Sequence, residues 1–340
     1  MIDRYELSEE QFDRIFDQEI RPTYFANRQA EERPTAVLVG GQPAAGKTQA
    51  IMGIKREHEP ANLVEIVGDD FRLYHPEYRQ LMQSNPLGMP DCTAQAAGEW
   101  VRRSIDHARR NRISIVVEGT FRTPDTTVGT AQSLAEAGFD THIVALAVPG
   151  YVSRLDAVHR YQVAVSNGQP ARWTPPLAHE AGYVGTPNTV AAAEECRSVH
   201  RVSVVDRAGH VLYENARIAG GEWEHATGAE AAIRAARAKP PSRREAAEWI
   251  ERLHQNVDWS VEHNLPSKAR IALVRLANND APLVLAYAHP HEEQSRASAL
   301  DKLSSARQRL QGYLPSPESH HLRSDTTKNQ PEVDEPDVNI

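Results

Sequence analysis

Residues 36–48 read Ala36-Val37-Leu38-Val39-Gly40-Gly41-Gln42-Pro43-Ala44-Ala45-Gly46-Lys47-Thr48. Four apolar residues in a row, closed by glycine, are the pattern of a short strand buried on both faces. Gly41-Gln42-Pro43-Ala44-Ala45-Gly46-Lys47-Thr48 then matches G-x-x-x-x-G-K-[ST] in full, with a helical stretch following from Lys47. Glycines let the backbone curl so that several N–H groups converge on phosphate oxygens, and the helix N-terminus adds partial positive charge. Lys47 is placed to bridge the terminal phosphates of a nucleotide, and the Thr48 hydroxyl to bind Mg²⁺. The motif and its context together point to an ATP site.

The strand–helix alternation continues on the C-terminal side. Leu63-Val64-Glu65-Ile66-Val67 predicts a second strand, residues 113–117 a third and residues 142–148 a fourth, with helices over 95–110 and 126–137 between them. Val202–Val205 and Val211–Tyr213 flank the turn Asp206-Arg207-Ala208-Gly209 and predict a terminal hairpin at a sheet edge. On the N-terminal side, Ser8-Glu9-Glu10-Gln11 has the form of a capping box, and Phe12, Ile15, Phe16 and Ile20 follow at helical spacing. The fold class is therefore α/β, a P-loop NTPase-type parallel sheet with helices on both faces, plus a C-terminal helical extension. In such sheets ligands bind at the carboxyl ends of the strands.

Composition bounds the rest. The 46 acidic residues outnumber 38 basic ones, for a net charge of −8, which weighs against a nucleic-acid partner. The cysteines, Cys92 and Cys196, lie far apart and suggest neither disulfide framework nor zinc ribbon. No apolar run approaches the roughly 20 residues of a membrane span and no signal peptide opens the chain, so a cytoplasmic location is expected. The organisation expected is a kinase domain over 1–217, a helical appendage of unassigned role over 218–314, and a polar, disordered tail over 315–340.

Phosphoryl transfer to a hydroxyl needs a carboxylate to orient the hydroxyl and take its proton. Asp69, after the second strand in Gly68-Asp69-Asp70-Phe71, is the candidate base; Asp70 is the alternative, and capping the next helix is open to both. Glu118 ends the third strand and suits a water-mediated Mg²⁺ contact, a bond to acceptor hydroxyls, or a structural arginine pair. Glu99 falls in a predicted helix, where a solvated face is the ordinary role. Arg160, on a helix over 151–165, and Arg172, in the loop beyond it, suit a lid that stabilises transition-state charge, and Arg122 suits anionic substrate groups; each is otherwise a surface arginine.

The ordered set resembles a known family. Gly41-Gln42-Pro43 with Gly46-Lys47-Thr48 is followed by Gly68-Asp69-Asp70-Phe71-Arg72 with His75-Pro76, by Val117-Glu118-Gly119-Thr120-Phe121-Arg122, by Ala147-Val148-Pro149, and by Arg160-Tyr161 with Ala171-Arg172. Together these look like the zeta toxins of bacterial toxin–antitoxin systems, over about residues 7–215. The resemblance implies a UDP-N-acetylglucosamine kinase that uses ATP and Mg²⁺ to phosphorylate the sugar's 3′-hydroxyl, starves cell-wall synthesis, and is held inactive by a small helical antitoxin over the ATP site. It puts Asp69 at the base position, Arg160 and Arg172 at the lid, and Glu118, Thr120, Arg122 and Glu99 on the substrate side. Ala44 departs from the family's usual glycine, the Arg160–Arg172 segment is slightly short, and the Glu99–Glu118 spacing is long. An acceptor such as an antibiotic, nucleoside or polynucleotide end, or an ATP-binding regulator without turnover, are the competing functions.

Overall fold

The computed structural model describes residues 3–58, 63–169, 171–289 and 293–311. Six strands, β1 (Thr35–Gly40), β2 (Val64–Val67), β3 (Ile115–Gly119), β4 (Asp140–Leu146), β5 (Arg201–Val205) and β6 (Val211–Ala216), form one sheet in the order β2-β3-β1-β4-β5-β6. The first five pair in parallel. β6 runs antiparallel to β5 as the expected edge hairpin. The turn is fixed by the Asp206 carboxylate, which accepts from the amides of Ala208 and His210 at 2.8 and 2.9 Å.

Side chains alternate across the sheet and divide the core in two. Val37, Val39, Val116, Val144 and Leu146 pack with Ala50, Ile51 and Ile54 of the helix that follows β1. Ala36, Leu38, Val117, Ile143 and Ala145 face the other way, into a larger cluster holding Phe12, Trp100, Leu134, Val190 and Ile233. The helices that cover these faces are α1 (Glu9–Ile15), α2 (Lys47–Glu57), α3 (Ala94–Asn111), α4 (Pro124–Glu136), α5 (Gly150–Ser166), α6 (Pro176–Glu195) and α7 (Ala229–Ala238), the fifth of which is only partly in this unit. The capping box read from Ser8 forms, with Ser8 and Gln11 each satisfying the other's amide.

β3 starts two residues later than its apolar run predicts. Arg112 leaves α3 in a left-handed conformation (φ 54°) and the Ile113 amide returns to the Ala108 carbonyl at 3.0 Å. That bond keeps Ile113 in the helix exit, and at the other end pairing with β1 carries the strand through Glu118 and Gly119.

The described chain divides into two compact units, 3–153 with 168–238, and 154–167 with 239–311. The first unit runs past Arg217 to Ala238 because Ala229 and Ile233 of α7 are fully buried in the larger cluster. The second is all-helical: α8 (Arg243–Glu262), α9 (Ser267–Arg275), α10 (Ala281–Ala288) and α11 (Glu293–Gln311). A second capping box, Ser242 with Glu245, starts α8. Segment 154–167 belongs here through Arg154 on Asp280 at 2.6 Å, Arg252 on Asp156, and Gln162 on the Asn256 carbonyl at 2.8 Å. The tail expected to be disordered, 315–340, lies outside the described residues.

Truncating a fully buried isoleucine removes its transfer free energy and leaves a cavity, together about 2–5 kcal/mol. Ile233→Ala is expected to lower the unfolding free energy by that amount in urea titration. A change below about 0.5 kcal/mol, the size of a surface substitution, would take α7 out of the core.

Candidate active site

The turn from β1 to α2 is built from unusual backbone conformations. Ala44 and Gly46 have φ of 61° and 99°, and Gly46 is the N-cap residue of α2. Such angles are open to glycine without steric cost, whereas the Cβ of Ala44 makes its conformation strained by about 1–2 kcal/mol. The curl is closed by the Ala45 amide donating to the Gln42 carbonyl at 3.2 Å. Thr48 is exposed in the first turn of α2.

Lys47 turns back into this curl. Its ammonium donates to the Gly41 and Gln42 carbonyls at 3.0 and 3.4 Å and pairs with Glu118 Oε1 at 3.4 Å, with only 7% of the side chain exposed. Sheet register brings Glu118 there. It stands opposite Val39 of β1 and Val67 of β2, one residue before the end of β3, on the same face as Val116 and therefore on the α2 side. The partner of Glu118 is thus the P-loop lysine, where an arginine was the structural alternative.

Asp69 sits in a single helical turn, Gly68–Phe71, at the carboxyl end of β2. One oxygen accepts from Arg72 Nε at 3.0 Å and the other pairs with Arg172. Arg72 is anchored in turn on the Pro90 carbonyl at 2.5 Å and the Thr93 hydroxyl at 2.7 Å. Burial pulls both arginines down to about 10, which leaves them cationic at neutral pH. Asp70 has the opposite surroundings: partial burial, then the Glu65 and Glu118 carboxylates, push it up. Adjacent aspartates therefore face cations and anions respectively, which separates them as the sequence could not.

The loop leaving β3 carries Thr120 and Arg122, both half-buried. Phe121 between them is fully buried at φ 53°, a conformation a bulky residue adopts only where its surroundings impose it. The Thr189 hydroxyl of α6 donates to the Phe121 carbonyl at 2.9 Å. Gly185 of α6 lies so close to Arg122 that an added Cβ would stand 2.4 Å from its Cα, so only glycine fits.

The remaining candidates lie elsewhere. Glu99, on α3, binds Arg102 and Arg103 at 2.6 Å each, and Arg103 carries the network on to Glu9 and Asp13 of α1. Arg160 is exposed on the part of α5 that belongs to the second unit. Arg72 was quoted in the sequence motif without a role; its i+3 spacing from Asp69 on a helical turn was the available signal. No cluster of metal-ligating side chains of three or more occurs among the described residues, and none of their helices is long and apolar enough to cross a membrane.

Comparison with known proteins gives the family and the fold. A sequence model described as Zeta toxin matches residues 21–218. Toxin PezT of Streptococcus pneumoniae serotype 4 is 30% identical over 189 residues, covering 55% of this chain and 74% of its own. Toxin zeta of Streptococcus agalactiae is 30% identical over 190 residues, 56% of this chain and 66% of its own. A solved structure from the PezAT chromosomal toxin–antitoxin system of Streptococcus pneumoniae shares the fold, with a TM-score of 0.62 at 24% identity over 75% of this chain and 99% of that one.

The contrast between the two aspartates gives a pH test. A carboxyl raised in the folded state makes that state bind protons more tightly than the unfolded chain, so its contribution to stability falls as pH rises through the folded value. Asp70→Asn removes the penalty. The variant is expected to be more stable than wild type at pH 7, and the gap to close as pH falls toward the ordinary aspartate value of 3.8. Added salt should reduce the part due to Glu65 and Glu118. Urea titrations at several pH values read this, and a gap that widens on acidification would contradict it.

Proposed function

The chain belongs to the zeta toxin family, and on that premise we propose that it is a toxin that moves the γ-phosphoryl group of ATP to the 3′-hydroxyl of UDP-N-acetylglucosamine. The observation that carries the proposal is the convergence, at the carboxyl end of one parallel sheet, of a complete P-loop with Lys47 against Glu118 and of Asp69 paired with Arg172.

In this reading the P-loop amides from Gly41 to Thr48 cradle the phosphates of ATP, and Lys47 exchanges its carbonyl contacts for the β- and γ-oxygens. The exposed Thr48 hydroxyl and, through water, Glu118 are the groups fitted to hold Mg²⁺, which supplies neutralisation of phosphate charge when bound. Asp69 accepts the proton of the sugar hydroxyl as that oxygen bonds to the γ-phosphorus. The bond from phosphorus to the β–γ bridging oxygen breaks, and ADP leaves. Arg172 shifts from the Asp69 carboxylate to the transferring group. Glu118, Thr120 and Arg122 border the acceptor. Glu99, the remaining substrate-side candidate, is held by Arg102 and Arg103.

The proposal places the protein in the cytoplasm with its nucleotide substrates. A small helical antitoxin over the ATP site is the partner that the family resemblance implies, and the solved structure that shares the fold comes from a toxin–antitoxin system.

Incubating the pure protein with Mg·ATP and UDP-N-acetylglucosamine should yield a sugar nucleotide heavier by one phosphoryl group in mass spectrometry. Lys47→Ala should abolish this. Asp69→Asn should lower kcat by about 10² to 10⁴ and leave ATP binding intact. Transfer to a nucleoside, an antibiotic or a polynucleotide end in place of the UDP-sugar would overturn the acceptor assignment. ATP binding with no transfer to any of them would make the protein a nucleotide-dependent regulator.

A further inference from the structure

Gln42, the second residue of the P-loop, is fully buried, and every polar atom of its side-chain amide is used. Its Nε2 donates to the Val148 carbonyl at 2.8 Å and to the Ser153 hydroxyl at 3.2 Å. Its Oε1 accepts from Arg237 Nη2 at 3.0 Å. Arg237 lies on α7, beyond the matched family region and 195 residues from Gln42 in sequence. Its other Nη donates to the Tyr183 carbonyl at 2.6 Å, and its guanidinium lies over the Tyr183 ring, 4.1 Å from the centroid. Burial pulls Arg237 down to about 10, so it remains a cation at neutral pH.

The Gln42 backbone does two further jobs. Its carbonyl accepts the amide of Ala45, closing the P-loop curl, and accepts one of the Lys47 ammonium bonds. Any shift of the Gln42 backbone therefore moves both the loop and the lysine. Of the groups that hold its side chain, Arg237 alone carries a charge, and charge-assisted bonds to a planar guanidinium fork are the strong, directional ones.

We propose that Arg237 is a positioning residue for nucleotide binding: acting through Gln42, it holds the P-loop in the conformation that receives the phosphates of ATP. This rests on the kinase reading above and extends the nucleotide site to a helix outside the family-matched segment. Arg237 reaches the P-loop through one side chain, that of Gln42, and that makes its effect separable from a general role in the fold.

The test is a double-mutant cycle on the full chain, read as affinity for a fluorescent N-methylanthraniloyl derivative of ATP. Arg237→Ala is expected to weaken binding about tenfold, the effect of one lost charge-assisted bond to a buried group. Arg237→Lys, which keeps the charge and loses the fork, should fall between Ala and wild type. Gln42→Ala should weaken binding too, and the double variant should bind no worse than the weaker single one. Unfolding midpoints measured alongside identify a purely structural role, which would lower the midpoint without changing affinity. Unchanged affinity in folded Arg237→Ala, or losses that multiply in the double variant, would overturn the proposal. If Arg237→Ala does not fold, Arg237→Lys in the same cycle decides it. A wild-type chain that fails to bind the probe would instead overturn the nucleotide reading, and this inference with it.

Discussion

The ammonium of Lys47, buried against two P-loop carbonyls and the Glu118 carboxylate, is the contact on which the rest of the site depends. A lone charge removed from water costs several kcal/mol unless it is paired and hydrogen-bonded. The chain meets that demand from two directions. The left-handed turn at Gly46 aims the lysine back at the loop's own carbonyls. The parallel register of β1 and β3 presents Glu118 on the same face as α2. A slip of one residue in that register would turn Glu118 to the opposite face and leave Lys47 without its carboxylate.

Asp69 depends on the same sheet. β2 pairs with β3 so that Val67 and Glu118 stand side by side, and the helical turn after Val67 carries both aspartates past the strand end. Asp69 then lies between Arg72 and Arg172, while Asp70 meets the field of Glu65 and Glu118. One residue of chain separates a carboxylate held by cations from one crowded by anions.

How much of this could be read in the sequence follows from the range of each interaction. The P-loop and the Ser8 capping box are encoded within a few consecutive residues, and both appear where the pattern puts them. The strands themselves and the placement of Asp69 and Glu118 at carboxyl ends follow from apolar runs and the geometry of parallel sheets, whereas the order β2-β3-β1-β4 is set by crossovers that no local pattern encodes. The two-residue shift of β3 depends on a left-handed Arg112, where the conformation falls on an arginine and not on the asparagine beside it, Asn111. Phe121 is held in a similar conformation by α6 contacts that are distant in sequence. The arginines around Glu99 stand at i+3 and i+4, the local spacing of helical ion pairs, although the sequence reading leaves Glu99 only a solvated face or a place on the substrate side. Arg237 was not: nothing local in an alanine-rich helix marks one arginine as the partner of a glutamine 195 residues away. Likewise the grouping of residues 154–167 with the second unit rests on partners distant in sequence, among them Asp280, 126 residues beyond Arg154.

The central claim, that Lys47 and the curl around it form an ATP phosphate site, is tested most directly by an acyl-phosphate derivative of ATP. Such a reagent transfers its acyl group to a lysine amine in contact with the nucleotide phosphates, forming an amide and releasing ATP. Peptide mapping by mass spectrometry should find the label on Lys47, and an excess of Mg·ATP should suppress it. Label spread over Lys55, Lys239, Lys268 and Lys302, with Lys47 unmodified or unprotected by ATP, would contradict the account.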